Sequence, residues 1–229
     1  MKIGIVSEGK TDFVVIETLL NEWSADYGLE LEILTLQPQI DESSGLWGDG
    51  GWSQVMLWCR DNPPEVRNGA IFGKLFEHEI PFDLIFVHLD ADVIEEFVPH
   101  LSRTVMPDNI HDGRARYDFV LSVLDEWLWP NAARSNDLNE RKHLLLPAVR
   151  ATESWLLAGM DTNIESPKDF DPEVEMMNKF PNLITMKKGR QRLRKNYQKW
   201  AVMAKNISIE KEHLLEKFQA INTIHSILE

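Results

Sequence analysis

The stretch "KIGIVSEGKTDFVVIETLLNEW", residues 2–23, joins a short apolar run to a segment with helical periodicity. Residues 2–6 are apolar and partly β-branched, which predicts a strand. Apolar side chains then recur from Ile16 to Trp23 at the spacing of one helix face. Thr11 or Asp12 is the expected N-cap of that helix. The turn between strand and helix therefore carries two acids, a glycine and a lysine.

The same alternation of strand and helix continues along the chain. Strands are predicted at 29–36, 82–92 and 142–149, and helices at 52–62, 117–129, 152–160 and in a tail from about 187. This order predicts an α/β fold with a mostly parallel, Rossmann-like sheet flanked by helices. We expect an α/β domain over residues 1–160 and a helical C-terminal extension over 161–229, packed on or next to it. Residues 160–183 are polar and contain three prolines, which indicates a linker or irregular arm.

The composition limits the classes of partner. The chain has 229 residues, 43% of them hydrophobic, which is enough for a full core. The net charge of −13 argues against sequence-independent adhesion to nucleic acid. Residues 187–200 nevertheless hold seven Lys and Arg and no acid, so that removing these seven charges from −13 leaves −20 for the rest. This basic segment is either a solvated helix face or a local site for a polyanion, with Lys187 and Lys188 as candidate substrate-binding residues.

Cysteine usage and hydropathy indicate the compartment. Cys59 is the only cysteine, which excludes an internal disulfide and a thiolate metal cluster. No apolar run approaches the roughly 20 residues of a membrane span, and charges interrupt any signal-peptide core near the N-terminus. We therefore expect a cytoplasmic protein that does not enter a membrane.

Acids follow two of the predicted strands at the points where they end. Glu8 and Asp12 follow the first strand, and Asp90 and Asp92 end the strong apolar run "FDLIFVHLDAD". In open α/β sheets, ligands bind outside the carboxyl ends of the strands. Carboxylates gathered there repel one another unless a cation such as Mg²⁺ neutralises them. The alternatives are that Asp12 caps a helix and that Asp90 and Asp92 only end a strand.

These motifs together resemble a known family. "VSEGKTDFVVI" and "FVHLDADV" are similar to the Toprim domain of topoisomerases, DnaG-type primases and old-family nucleases. The segment "TESWLLAG" at residues 152–159 resembles the stand-alone Toprim-like proteins of the DUF4276 type. The resemblance covers roughly residues 1–160.

The resemblance implies an acidic site that binds Mg²⁺ or Mn²⁺ and acts on phosphodiesters. In that family the first glutamate, here Glu8, is proposed as general acid or base, and the D-x-D pair, here Asp90 and Asp92, as metal ligands. Glu8 is also a candidate ligand, and Glu153 is either an extra ligand or a capping carboxylate. Lys10 is a candidate catalytic residue because its charge offsets that of a phosphate.

Further residues are candidates for binding substrate. Glycines in the loops, Gly9, Gly50 and Gly51, let backbone amides approach a phosphate. Trp52 could stack on a base, and Arg114 could contact a phosphate, although a surface role is the alternative for both. Asp12 belongs to the same candidate set. His88, inside the buried strand, is expected to be a core histidine with its hydrogen bonds satisfied.

Two functions remain open at this point. The first is a stand-alone, Mg²⁺-dependent nuclease or phosphodiesterase, possibly within a phage-defence or DNA-repair system. Topoisomerase and primase activities are not expected, because the chain has no room for their additional domains and no P-loop. The alternative is a non-catalytic module that binds a nucleotide or a partner protein, such as an ATPase, and that could form a homodimer. A third possibility is phosphoryl or nucleotidyl transfer on a small molecule.

Overall fold

The computed structural model describes residues 1–41, 46–63, 82–130, 143–160, 171–187, 189–194, 196–207 and 219–228. The strands are β1 Lys2–Val6, β2 Glu32–Gln37, β3 Ile40–Asp41, β4 Leu46–Trp47, β5 Leu84–Asp90, β6 His143–Ala148, β7 Ile184–Lys187 and β8 Arg190–Leu193. The α-helices are α1 Lys10–Asp26, α2 Trp52–Asp61, α3 Ile94–Phe97, α4 Gly113–Leu128, α5 Thr152–Met160, α6 Pro172–Lys179, α7 Tyr197–Ala204 and α8 Gln219–Leu228. Two short 3₁₀ helices span Val98–His100 and Pro181–Leu183.

A four-stranded sheet with the order β2-β1-β5-β6 forms the centre of the molecule. All three pairings are parallel, which confirms the predicted α/β class. The chain moves outward from β1 to β2 and then returns to place β5 on the other side of β1. The strand order therefore reverses between β1 and β5, the position where α/β sheets open a crevice for ligands.

Helices cover both faces of this sheet. One core cluster contains Phe86 of β5 and is covered by α1, α5, α7 and α8. The other contains Ile85 and Val87 of the same strand and is covered by α2 and α4. Because side chains alternate along a strand, His88 and Asp90 lie on the same face as Phe86. The last residues of β5 therefore point toward α1 and α5.

The described part of the C-terminal extension packs on the α/β part. Trp200 of α7 and Ile221 and Ile224 of α8 are fully buried. They belong to the same core cluster as Ile3 and Ile5 of β1. The two parts of the chain on either side of residue 160 thus share one core.

Three local predictions are wrong. The tail is not helical from 187, because β7 and β8 form an antiparallel hairpin in which Gly189 has φ +75°, and the helix begins only at Tyr197. The interpretation of 160–183 as irregular fails where Asp171 caps α6, while 161–170 lie outside the described residues. Helix α1 begins at Lys10 with Gly9 at its N-cap, so neither Thr11 nor Asp12 holds that position.

The described helices include no candidate for a transmembrane segment, since none is both long and apolar enough to cross a bilayer.

Candidate functional site

The turn after β1 is tied directly to the end of β5. The amide N–H of Asp90 donates to Oε1 of Glu8 over 2.9 Å. On the other side, the amide of Gly51 donates to the carbonyl oxygen of Glu8 over 2.6 Å. The Glu8 side chain is therefore held at the point where the strand order reverses, and the glycine loop before α2 forms a wall beside it.

Thr152, the first residue of α5, joins two of the acids. Its hydroxyl donates to Oδ1 of Asp12 over 2.8 Å, and its amide donates to Oδ1 of Asp90 over 3.1 Å. Asp12 and Asp90 are 2% and 5% exposed, so both carboxylates are buried. Buried charges are tolerated only when they are hydrogen-bonded or paired, and Thr152 supplies part of that compensation.

His88 supplies the rest of it. Its Nδ1 lies 2.7 Å from the carbonyl oxygen of Leu146, and because a carbonyl only accepts, this nitrogen carries a proton and donates. Its Nε2 lies 3.1 Å from Oδ1 of Asp90. The expectation of a core histidine with satisfied hydrogen bonds is confirmed, but this histidine also contacts a site carboxylate. Asp12, His88 and Asp90 each offer a ligand atom within 4.8 Å of the others, a geometry that could hold a metal ion.

The crowding of acids changes their proton affinities. Burial, followed by the charges of Asp90, Asp12 and Asp92, raises the pKa of Glu8 well above its ordinary value. Burial and the charge of Asp12 likewise raise the pKa of Asp90, against the opposing effect of His88. Burial disfavours the charged form of His88, but the hydrogen bond and charge of Asp90 outweigh it and raise the pKa of His88. The site therefore binds positive charge, as protons or as a cation.

A cavity of about 390 Å³ opens over these groups. Asp92 reaches it from the turn after β5, because the strand ends at Asp90 and Asp92 is exposed. The predicted D-x-D pair thus lies at one cavity, with one buried and one exposed carboxylate. The lining residues are Glu8, Gly9, Lys10, Thr11, Asp12, Gly51, Asp90, Asp92 and Tyr197.

Lys10 lines the cavity between two aromatic rings. Its Nζ lies 3.6 Å from the ring centroid of Tyr197 and 5.0 Å from that of Trp47. Both distances are within the range of a cation–π interaction. The rings therefore hold the ammonium group of Lys10 at the edge of the cavity, beside the carboxylates.

Gly50 and Gly51 bring backbone close to Glu8. A Cβ atom on Gly50 would lie 2.3 Å from the carbonyl oxygen of Glu8, closer than any side chain allows. Gly51 has φ +97°, a conformation that favours glycine. The amide of Gly51 is bonded to Glu8, so the glycines of this loop shape the cavity wall.

Several predicted residues are not among those lining the cavity. Trp52 donates its Nε1–H to Oε2 of Glu96 over 2.7 Å and packs on Phe97. Arg114 is exposed on α4, where its Nε pairs with Oδ2 of Asp118 over 2.9 Å. The residues outside the cavity lining are Gly50, Trp52, Arg114 and Glu153, while Lys188 and the side chain of Lys187 lie outside the described residues.

Glu153 lies behind the cavity in the first turn of α5. It is 4% exposed, and its charge acts on Asp90 to raise the pKa of that carboxyl group. This places Glu153 near Asp90 and on the buried side of the site.

Sequence reasoning missed three residues that shape the site. Thr152 follows β6, so the rule that ligands meet at strand ends would have found it. Arg116 donates from Nη1 to the carbonyl oxygen of Ala91 over 2.8 Å and so holds the turn between Asp90 and Asp92. A cation in the first turn of a helix opposes the helix dipole, which was a weak signal of another role. Tyr197 had no signal in the sequence.

Comparisons of the chain with models of known protein families, with curated proteins and with solved structures returned no match. The relation to Toprim proteins stays a prediction from the quoted motifs.

Proposed function

We propose that this chain is a phosphodiester-cleaving enzyme of Toprim type that depends on Mg²⁺ or Mn²⁺. The observation that carries the proposal is the convergence of Glu8, Asp12, Asp90 and Asp92 on one cavity where the strand order reverses. Four carboxylates around one space are costly unless a cation neutralises them.

The donor set fits a hard divalent cation. Mg²⁺ takes oxygen ligands, usually one or two carboxylates with water and substrate phosphate completing the shell. Asp90 and Asp92 would hold it, with Asp12 and Glu8 within reach of the same cavity. Bound there, the cation would polarise a phosphoryl oxygen of the substrate.

The protein groups provide positioning and proton transfer. Thr152 and His88 fix the carboxylate of Asp90, and Arg116 fixes the turn that leads to Asp92. Glu8 has a raised pKa, which suits a group that gives or takes a proton near neutral pH. Lys10 brings a positive charge to the rim, where it would contact a phosphate.

Calorimetric titration with Mg²⁺ and Mn²⁺ tests the proposal, combined with a cleavage assay on mixed DNA and RNA. The doubly substituted protein D90N/D92N should lose metal binding and cleavage together. Asp118→Asn removes an exposed acid from α4 and serves as the control, with both properties retained. Absence of metal binding by the wild-type protein at millimolar Mg²⁺ would contradict the enzyme proposal.

One observation favours the non-catalytic alternative. Oδ1 of Asp90 already faces His88 Nε2 at 3.1 Å and both the amide and the hydroxyl of Thr152, at 3.1 and 3.3 Å. These contacts compensate the charge of Asp90 without a cation. A protein that binds a nucleotide or a partner protein without metal would have the same site, and the titration separates the two functions.

A further inference from the structure

We infer that the outer face of strand β8 and the ring of Tyr197 form a binding track for single-stranded nucleic acid that leads into the acidic cavity. This inference names the substrate class of the proposed enzyme and rests on that proposal for its catalytic meaning. The binding of the strand can be measured without catalysis.

The first observation is the orientation of the hairpin. Leu193 is 8% exposed and belongs to the core, so it fixes the inner face of β8. Alternation then places Arg190 and Arg192 on the outer face, with Cα atoms about 7 Å apart. Arg194 continues the same alternation, because its amide donates to the carbonyl oxygen of Leu183 over 2.6 Å. Three exposed arginines therefore follow one line.

The second observation is where that line ends. Tyr197 lies three residues after Arg194, so their Cα atoms are at most about 11 Å apart. Tyr197 lines the cavity that contains Glu8, Asp90 and Asp92, yet 44% of it stays exposed. A half-exposed aromatic ring beside a basic strand is the combination with which proteins hold unpaired bases, by stacking the base and tracking the backbone.

Electrostatics explains why the substrate would need such a track. The chain carries −13 overall, and the cavity adds four carboxylates at one point, so a polyanion is repelled from most of the surface. The arginine line is a local exception. Glu173 offsets only part of it, through a contact of 3.6 Å between Oε2 and Arg192 Nη1. A strand bound along β8 would reach the cavity past Lys10, whose Nζ lies on the Tyr197 ring.

The experiment measures binding of a fluorescent single-stranded oligonucleotide by anisotropy, in EDTA so that no cleavage occurs. We expect the triple variant R190A/R192A/R194A to bind at least about tenfold more weakly at 100 mM salt, and its log–log salt slope to fall by roughly 2. Tyr197→Ala should weaken binding by about 5- to 100-fold, whereas Tyr197→Phe keeps the ring and should restore most of the affinity.

Arg192→Ala and Lys205→Ala are the matched pair of single variants. Each removes one exposed cation that pairs with a glutamate, Glu173 in one case and Glu22 in the other. Only Arg192→Ala should weaken oligonucleotide binding, which separates a local track from a general effect of net charge.

Three results would overturn the inference: equal binding by the wild-type protein and the triple variant, tighter binding of duplex than of single strand, or no binding of the oligonucleotide at all. Cleavage of bis(p-nitrophenyl) phosphate in Mn²⁺, a small diester that needs only the metal site, reports on the proposed function separately. Oligonucleotide binding without diester cleavage would contradict the enzyme proposal and support the track. Diester cleavage without oligonucleotide binding would do the reverse.

Discussion

Glu8 shows at the scale of one residue how a functional site opposes stability. Its carboxyl group accepts the amide of Asp90, yet burial and three neighbouring acids raise its pKa. Between the ordinary value of 4.5 and the raised one, the folded state keeps a proton that the unfolded state has lost. Stability is therefore lost as pH rises through this window, and the full penalty remains above it.

We expect Glu8→Gln to stabilise the protein at pH 8 in EDTA. The glutamine Oε1 still accepts the Asp90 amide, while the repulsion from Asp90, Asp12 and Asp92 is removed. Each kcal/mol of repulsion removed should raise Tm by roughly 2–4 °C for a chain of this size.

Thermal unfolding of the two proteins at pH 4 and pH 8 measures this effect. The difference in Tm should be present at pH 8 and should shrink toward pH 4, where Glu8 is protonated in both states. Added Mg²⁺ should then stabilise the wild-type protein more than the variant. A lower Tm of the variant at pH 8 would show that the Glu8 charge is compensated within the fold.

At the scale of elements, the loop before α2 depends on the missing side chain of Gly50. A Cβ there would lie 2.3 Å from the Glu8 carbonyl oxygen, and that contact is to backbone, which cannot rotate away. We expect Gly50→Ala to cost roughly 1–3 kcal/mol and to weaken metal binding, because the loop must move away from Glu8.

Gly113→Ala is the control for this prediction. It lies at the start of α4, where an added Cβ would be 3.6 Å from Val149 Cγ1, an ordinary contact. Alanine should be neutral there or stabilise the helix by up to about 1 kcal/mol. Denaturant unfolding measures both variants, and equal stabilities would contradict the close packing of the loop against Glu8.

Helix α4 is joined to the segment before it by Glu126. This buried carboxylate accepts the amides of Ser102, Arg103 and Thr104 and the hydroxyl of Ser102. Burial alone would raise its pKa, but these hydrogen bonds lower the pKa of Glu126 to about 2.

The lowered pKa gives a pH dependence opposite to that of Glu8. The stabilisation is complete above pH 4.5 and is lost as pH falls toward 2. Glu126→Gln should cost about 1–3 kcal/mol at pH 7, since an amide accepts fewer hydrogen bonds than a carboxylate. Urea unfolding of both proteins should show the gap closing between pH 4.5 and 2.5, and a gap independent of pH would contradict the assignment.

The elements also show what the sequence could predict. The apolar run of β5 and the periodicity of α1 were strong local signals, and strand-end logic then led to Glu8, Asp90 and Asp92. The hairpin β7–β8 was missed because the charge run outweighed Gly189, whose positive φ closes the turn. Thr152 and Arg116 depend on how α5 and α4 dock, which local pattern does not encode.

At the scale of the whole molecule, the C-terminal extension is part of the core that supports the site. Trp200 of α7 is fully buried with Ile3 and Ile5 of the central strand. Tyr197, one turn earlier on the same helix, lines the cavity. The position of the cavity wall therefore depends on the packing of α7 against the sheet face.

Trp200→Ala tests this dependence. Removing a buried tryptophan leaves a large void, and we expect a loss of about 3–5 kcal/mol. Val202→Ala on the same helix is the control, because Val202 is 65% exposed and should change stability by less than about 0.5 kcal/mol. Denaturant unfolding gives both values.

If Trp200→Ala stays folded, oligonucleotide binding should weaken with it, because α7 carries Tyr197 and follows the arginine line. Mg²⁺ binding should change less, since its candidate ligands lie on β1, α1 and the end of β5. A variant that loses stability but keeps both activities would show that the extension covers the core without shaping the site. The opposite result would make α7 the link between the stability of the core and the recognition of substrate.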